Sequence, residues 1–458
     1  MKLFNCSIAG LLIAAGALCI SAEEMFDEDA LFADTNMTVD SASLVDNQRI
    51  IGDSQKTTVG FSGTVNSVAE VAFSRSFFDE LKRKEIIPSA YIVNNLMLDV
   101  RMAQDVKAFS NLELTFRPDS SVFDINLQEL FLDFNVKRMV YFRTGKQVLQ
   151  WGRCYFWNPT DLINIEKKTI EPQIGYREGA YGVKMHIPFG TKYNIYGFAD
   201  MKRLTSVDSM AGAIKGEMLI GTTEIGAALW GKHDRKPVFG IDFSTRLLDF
   251  DITGEMSLES GDNISVIKGL HKNEPMLEFM NRVARGDKEI DLNAKADKDV
   301  VPKICLGISR SFDLLEVKDR VTIITEFFLN QAGVEGDFYD EHDVKALFDA
   351  LAKDTSGKMG DQLNSLRTRF SRPNEFSRYY VSLFTTVNKF IIPEIVLQLN
   401  SIINIEQSAA VLIGSLQYTT LHNLFAGLTV SGAIGGGETE YTMFGNALSC
   451  RLNIGINF

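Results

Sequence analysis

Residues 249–259 read DFDITGEMSLE. Phe250, Ile252, Gly254, Met256 and Leu258 fall on one face, and Asp249, Asp251, Thr253, Glu255, Ser257 and Glu259 fall on the other. A period of two marks a strand with one apolar and one wet side. A soluble sandwich could bury the apolar side, but the length weighs against it. A tilted transmembrane strand needs about eleven residues, whereas soluble strands average about five or six.

The pattern recurs along the chain. In 90–102, Ile92, Leu96, Leu98, Val100 and Met102 oppose Asn95, Asp99 and Arg101. In 106–117, Val106, Ala108, Leu112, Leu114 and Phe116 oppose Lys107, Asn111, Glu113 and Arg117. In 317–330, Val321, Ile323, Phe327 and Leu329 oppose Arg320, Thr322, Glu326 and Asn330. The final residues, LNIGINF (452–458), alternate in the same way and end on Phe458. Eighteen such segments can be placed between residues 58 and 458, of which 211–220 has the weakest pattern. An even number suits a single-chain bacterial β-barrel, and 16 strands is the alternative.

The gaps between segments supply an independent test. Counted back from the carboxyl terminus, every second gap is short: 103–105, 137, 190–191, 221–222, 248, 313–316, 389–392 and 420–423. The intervening set includes the long gaps 70–89, 149–178, 260–301, 331–376 and 434–446, with 118–125 and 202–210 intermediate and 233–236 and 405–408 short exceptions. Short periplasmic turns alternating with long outer loops are expected of an outer-membrane barrel, and nothing in a sandwich demands them. Two long gaps carry helical spacing: Val344, Leu347, Phe348 and Leu351 in 340–353, and Met276, Leu277, Phe279, Met280 and Val283 in 274–286. These loops either fold over the lumen or pack on themselves as a cap.

The amino terminus agrees with export. Lys2 precedes an apolar run from Ile8 to Ile20, and Ser21 and Ala22 precede Glu23. This is the plan of a signal peptide over 1–22, too short to span a membrane comfortably. Leu18 before Cys19 speaks against a lipoprotein signal. An acidic periplasmic segment, 23–57, is expected next, with the barrel over 58–458. The formal charge of −12 argues against nucleic-acid binding, which needs a basic face.

No chemistry of an enzyme is visible. Removing the leader leaves Cys154, Cys305 and Cys450, widely spaced and without a metal-binding pattern or a disulfide framework. His186, His233, His271, His342 and His422 are scattered, and GSLQ at 414–417 is not a nucleophile elbow. The acidic run around Asp337, Asp340, Glu341 and Asp343 lacks EF-hand spacing. No cofactor or metal is expected.

The stretch 139–164, MVYFRTGKQVLQWGRCYFWNPTDLIN, differs from its neighbours. A strand runs through Gly145-Lys146-Gln147 to Trp151-Gly152 and an aromatic loop ending in Asn158-Pro159-Thr160-Asp161. It resembles a family of porin-like bacterial outer-membrane barrels in which a strand ending GRQ leads into WG and an Asn-rich loop. HDRKPVFGIDF (233–243) and the terminal phenylalanine are similar to that family too. The sequence departs from the pattern at Lys146, where arginine is usual, and at Arg153, where an acid often follows the WG. The resemblance implies a channel or uptake porin, hydrophobic solutes among its possible cargo, and implies that Phe458 is read by the barrel-assembly machinery.

Two readings of the aromatic loop remain open. Trp151, Tyr155, Phe156 and Trp157 could form an interfacial girdle at the outer rim. Alternatively the loop turns inward, and Trp151, Arg153 and Asp161 help form a constriction. The expected pore-lining charges are Arg101, Lys107, Glu113, Asp133, Arg143, Asp251, Glu255, Arg320 and Glu326, each on the polar face of a strand. The expected function is passive diffusion or uptake of small solutes, with outer-membrane lipid outside. A surface-exposed binding protein or adhesin on a plugged barrel is the alternative. The sequence leaves the oligomeric state open.

Overall fold

A computed structural model describes residues 57–73, 86–118, 122–164, 179–201, 210–347, 374–420, 423–444 and 447–458. The expected leader and nearly all of the acidic segment lie outside the described residues. The strands are β1 (Thr58–Phe73), β2 (Ile86–Met102), β3 (Val106–Arg117), β4 (Val122–Val136), β5 (Val140–Gln147), β6 (Ala180–Phe189), β7 (Tyr193–Asp200), β8 (Ala211–Ile220), β9 (Thr223–Lys232) and β10 (Arg235–Leu247). They continue as β11 (Phe250–Ser260), β12 (Ser265–Lys268), β13 (Asp291–Lys295), β14 (Val300–Leu314), β15 (Val317–Asn330), β16 (Tyr379–Val387), β17 (Ile395–Asn404), β18 (Ala409–Thr419), β19 (Leu424–Ile434) and β20 (Leu448–Asn457).

All except β12 and β13 join one 18-stranded antiparallel sheet. β20 pairs with β1, from Phe73↔Leu448 to Thr64↔Asn457, so the sheet closes into a barrel. The 16-strand alternative is excluded. Phe458 completes the seam: its N–H donates to the Gly63 carbonyl and its carbonyl accepts from the Gly63 N–H, both at 2.9 Å.

The polarity of the wall is inverted relative to a soluble protein. Ile214 is 52% exposed, Leu306 51% and Leu452 47%, while the inward Asp242, Glu255 and Glu326 are covered to 2% exposure or less. In water this outer surface would be a severe liability. In hydrocarbon it is what a closed sheet needs, since closure pairs the backbone groups that lipid cannot satisfy. The wall is a transmembrane barrel.

The short gaps are tight turns. Lys137 and Arg138 (φ 54° and 56°) and Leu315 and Glu316 (φ 52° and 64°) are consecutive left-handed pairs, as a two-residue hairpin turn requires. The other end carries the structured loops: the β12–β13 hairpin, α1 (Met276–Ala284), α2 (Phe338–Glu341) and α3 (Glu440–Phe444). The spacing in 274–286 was therefore a helix. That in 340–353 is helical at 344–347, and the remainder lies outside the described residues. Met276, Phe279, Met280, Tyr339, Val344, Leu347 and Phe376 form one buried cluster, so these loops pack on each other as a cap. Strands β12 and β13 were not anticipated, because neither is long enough to show a period.

Candidate functional site: a segment folded into the barrel

The site begins where β5 leaves the wall. Gly145 has φ 127°, and a Cβ there would lie 2.1 Å from the Leu130 carbonyl oxygen on β4, so only glycine fits. Lys146 Nζ donates to the Leu127 carbonyl at 2.5 Å, and the fully covered Gln147 donates through Nε2 to the Gly182 carbonyl at 3.3 Å. The Val148 N–H donates to Glu129 Oε1 at 2.9 Å. From there segment 148–164 turns inward.

Leu149, Trp151, Leu162 and Ile163 pack with Phe198, Trp230 and Val238 against the inner wall. Trp157 stacks on Phe328 at 5.3 Å with an interplanar angle of 6°. Tyr155 meets Phe384 edge-on at 4.9 Å. The girdle reading is overturned: Trp151 and Trp157 are 5% and 4% exposed and lie inside the barrel. Inward phenylalanines on β15 and β16 gave these rings an apolar place that period-two reading treats as wet.

Two carboxylates hold the segment through its backbone. Glu255 accepts from the N–H groups of Arg153, Cys154 (2.6 Å) and Thr160 (3.0 Å) and from the Thr160 hydroxyl (2.8 Å). Glu326 accepts from three successive N–H groups, those of Tyr155, Phe156 (3.0 Å) and Trp157 (3.2 Å). Successive amides converging on one anion form a concave nest that favours negative charge. A Cβ on Gly152 would meet Glu255 Oε1 at 2.7 Å and Asn158 Cβ at 2.6 Å, so the backbone can approach only without a side chain.

One side chain provides the third anchor. The Arg153 guanidinium pairs with Asp242 on β10, Glu224 on β9 and Glu217 on β8, the last at 2.9 Å. Lys215 Nζ lies 3.1 Å from Glu217, 3.0 Å from Asp242 and 2.5 Å from the Trp151 carbonyl. Three carboxylates thus face two cations. Glu217 and Glu224 keep 18% and 29% exposure, which leaves the acidic side of this network open to solvent.

The expected pore-lining residues separate into two groups. Arg143 pairs with Asp133 at 2.7 Å, Lys107 with Asp99 at 3.3 Å, Arg101 with Asp99 at 3.2 Å and Arg246 with Asp251 at 2.6 Å, while Gln128 donates to Glu113 at 3.1 Å. Each of these contacts joins the same or a neighbouring strand, and each of the charged residues is partly exposed, whereas Gln128 is buried. Glu255, Glu326 and Arg320 differ: they face inward but are covered, so they do not line open water. Arg320 is 1% exposed and donates to the Lys389 carbonyl at 3.1 Å, tying a turn at the short-turn end. Asp161 is also buried, 7% exposed, in a turn whose N–H donates to the Asn158 carbonyl at 3.0 Å. Sequence reasoning missed Lys215, Glu217, Glu224 and Asp242. Their alternation was visible in AGAIKGEMLI (Lys215, Glu217), TEIGAALWGK (Glu224) and VFGIDF (Asp242), but not which strands would lie beneath the loop.

Among solved structures the chain is similar to OccAB1 of Acinetobacter baumannii, at 10% identity and a TM-score of 0.48, over 87% of this chain and 96% of that one. OccK2 (OpdF) of Pseudomonas aeruginosa, solved in complex with glucuronate, gives 10% and 0.49 over 87% and 98%. OprD of Pseudomonas aeruginosa gives 7% and 0.47 over 89% and 98%. No family model and no curated protein matches the chain.

Proposed function

We propose that the protein is an outer-membrane channel for passive diffusion or uptake of small solutes, with segment 148–164 as its constriction. The observation that supports this best is the manner in which the segment is held. Buried carboxylates on β11 and β15 and the Arg153 network on β8–β10 fix it inside the wall, while the exposed inward charges pair sideways between neighbouring strands. Sideways pairs neutralise the wall without bridging the lumen. About 18 strands enclose a water-filled interior unless loops fill it, and a fixed inner segment narrows that interior. Glu113, Asp133, Arg143, Glu217 and Glu224 are the charges we place along the path. Lipid contacts the apolar exterior, and Phe458 is the residue proposed to be read by the assembly machinery.

The packed cap of α1, α2 and the β12–β13 hairpin supports a second reading, a surface-binding protein on a plugged barrel. Planar-bilayer recordings on the purified protein separate the two. A channel gives stable conductance steps, and Glu217→Gln combined with Glu224→Gln lowers its cation preference. A bilayer that stays silent, even for a variant lacking residues 148–164, rejects the channel.

A further inference from the structure

Cys154 and Cys305 are 1% and 0% exposed, and their sulfur atoms lie, with a Glu326 oxygen, within 4.8 Å of one another. Cys154 belongs to the inner segment and Cys305 to the wall strand β14. The register explains why they meet. Cys305 is the cross-strand partner of Glu255 on β11 and of Phe328 on β15. Glu255 accepts the Cys154 N–H at 2.6 Å, and Glu326 holds the Tyr155 N–H. Cys154 is therefore clamped by carboxylates on both strands that flank Cys305. The segment cannot take this position without bringing the two thiols together.

We propose that Cys154 and Cys305 form a disulfide that staples the inner segment to β14. A metal site fits less well. The cluster offers at most three donors, the two thiols and a Glu326 carboxylate whose oxygens already accept backbone N–H groups, where a structural zinc takes four ligands. The inference rests on export to an oxidising compartment, where such pairs persist. It does not depend on whether the barrel conducts. The oxidant is a protein disulfide of the cell envelope or, in vitro, glutathione disulfide. One cysteine thiolate attacks a sulfur of that disulfide and releases one thiol, leaving a mixed disulfide. The second cysteine thiolate then attacks the cysteine sulfur of the mixed disulfide and releases the other thiol. The chain loses two electrons and two protons, and the oxidant becomes two thiols. Burial of both sulfurs requires the bond to form as the segment docks.

The full chain, expressed with its own leader in a diderm host, would be acid-quenched, denatured and alkylated before and after reduction. Peptide mapping should recover the peptides of Cys154 and Cys305 joined, with Cys450 alkylated without reduction. In a second arm, reduced denatured chain refolded into detergent with glutathione disulfide should give the same linkage, whatever compartment the host uses. Refolding Cys154→Ser should leave Cys305 alkylated. Folded protein in which Cys154 and Cys305 are alkylated before reduction in both arms would overturn the proposal. So would stoichiometric zinc released on thiol modification.

Discussion

Arg153, on the segment that leaves β5, forms an ion pair with Asp242, whose side chain on β10 has no exposed surface. Neither residue is placed by its own neighbourhood in sequence. The segment delivers the guanidinium, and three adjacent strands deliver the carboxylates that receive it. Removing one partner of a buried ion pair leaves the others uncompensated, at a typical cost of about 3–5 kcal/mol. Arg153→Met should therefore lower the unfolding free energy by roughly that amount, read as the urea midpoint of the detergent-solubilised barrel. Arg153→Lys should recover only part of it, because an ammonium cannot fork toward three carboxylates. An unchanged midpoint for Arg153→Met would show that the network does not hold the segment.

The exterior makes a separate prediction. Leu428 is 43% exposed on the outer face of β19, and Ser415 on β18 points inward, its hydroxyl 3.2 Å from that of Thr429. Leu428→Arg should cost about 2–4 kcal/mol in lipid, as a charge near the bilayer midplane does. Ser415→Arg should cost less than about 1 kcal/mol, because water meets it. Equal costs in lipid vesicles would mean that the faces are assigned the wrong way round.

Gly145 tests the backbone. A methyl group there meets the Leu130 carbonyl at 2.1 Å and forces a side chain into φ 127°. We expect Gly145→Ala to assemble poorly, visible as loss of the heat-modifiable band on gels. Gly216, where a Cβ meets nothing within 4 Å, should accept alanine with assembly unchanged.

The barrel was legible because a lipid-facing strand has to obey period two over its full length. Even 211–220, the weakest pattern, is β8. The inner segment was less legible, since period two assigns a face but not what covers it. Thr253 reads as a lumen position, yet its hydroxyl lies 3.6 Å from Cys154 Sγ. Glu255 and Glu326 read as pore charges for the same reason, and a folded-in segment has taken both. Which strands lie under the segment depends on barrel curvature, and curvature leaves no trace in a local pattern.

The cap provides the pH prediction. Glu440 opens α3 at 3% exposure and accepts from the Tyr380 hydroxyl at 2.9 Å. Burial pushes its carboxyl up to about 7. Asp337, beside Asp340 and Glu341 at the start of α2, is pushed up to about 6, chiefly by burial. A carboxyl whose folded pKa is raised binds its proton more tightly when folded. Its stabilising contribution is complete below the unfolded value of about 4.3 and disappears as pH rises through the folded value. For Glu440 that window runs from about pH 4 to just above 7, and its size is at most roughly 4 kcal/mol. The cap should therefore be tighter at pH 5 than at pH 8. Glu440→Gln, which keeps the shape without the charge, should stabilise relative to the parent at pH 8 and do little or slight harm at pH 5. Thermal midpoints of both proteins at the two pH values measure the difference directly. If the parent–variant gap is the same at pH 5 and pH 8, the Glu440 carboxyl does not titrate in this range.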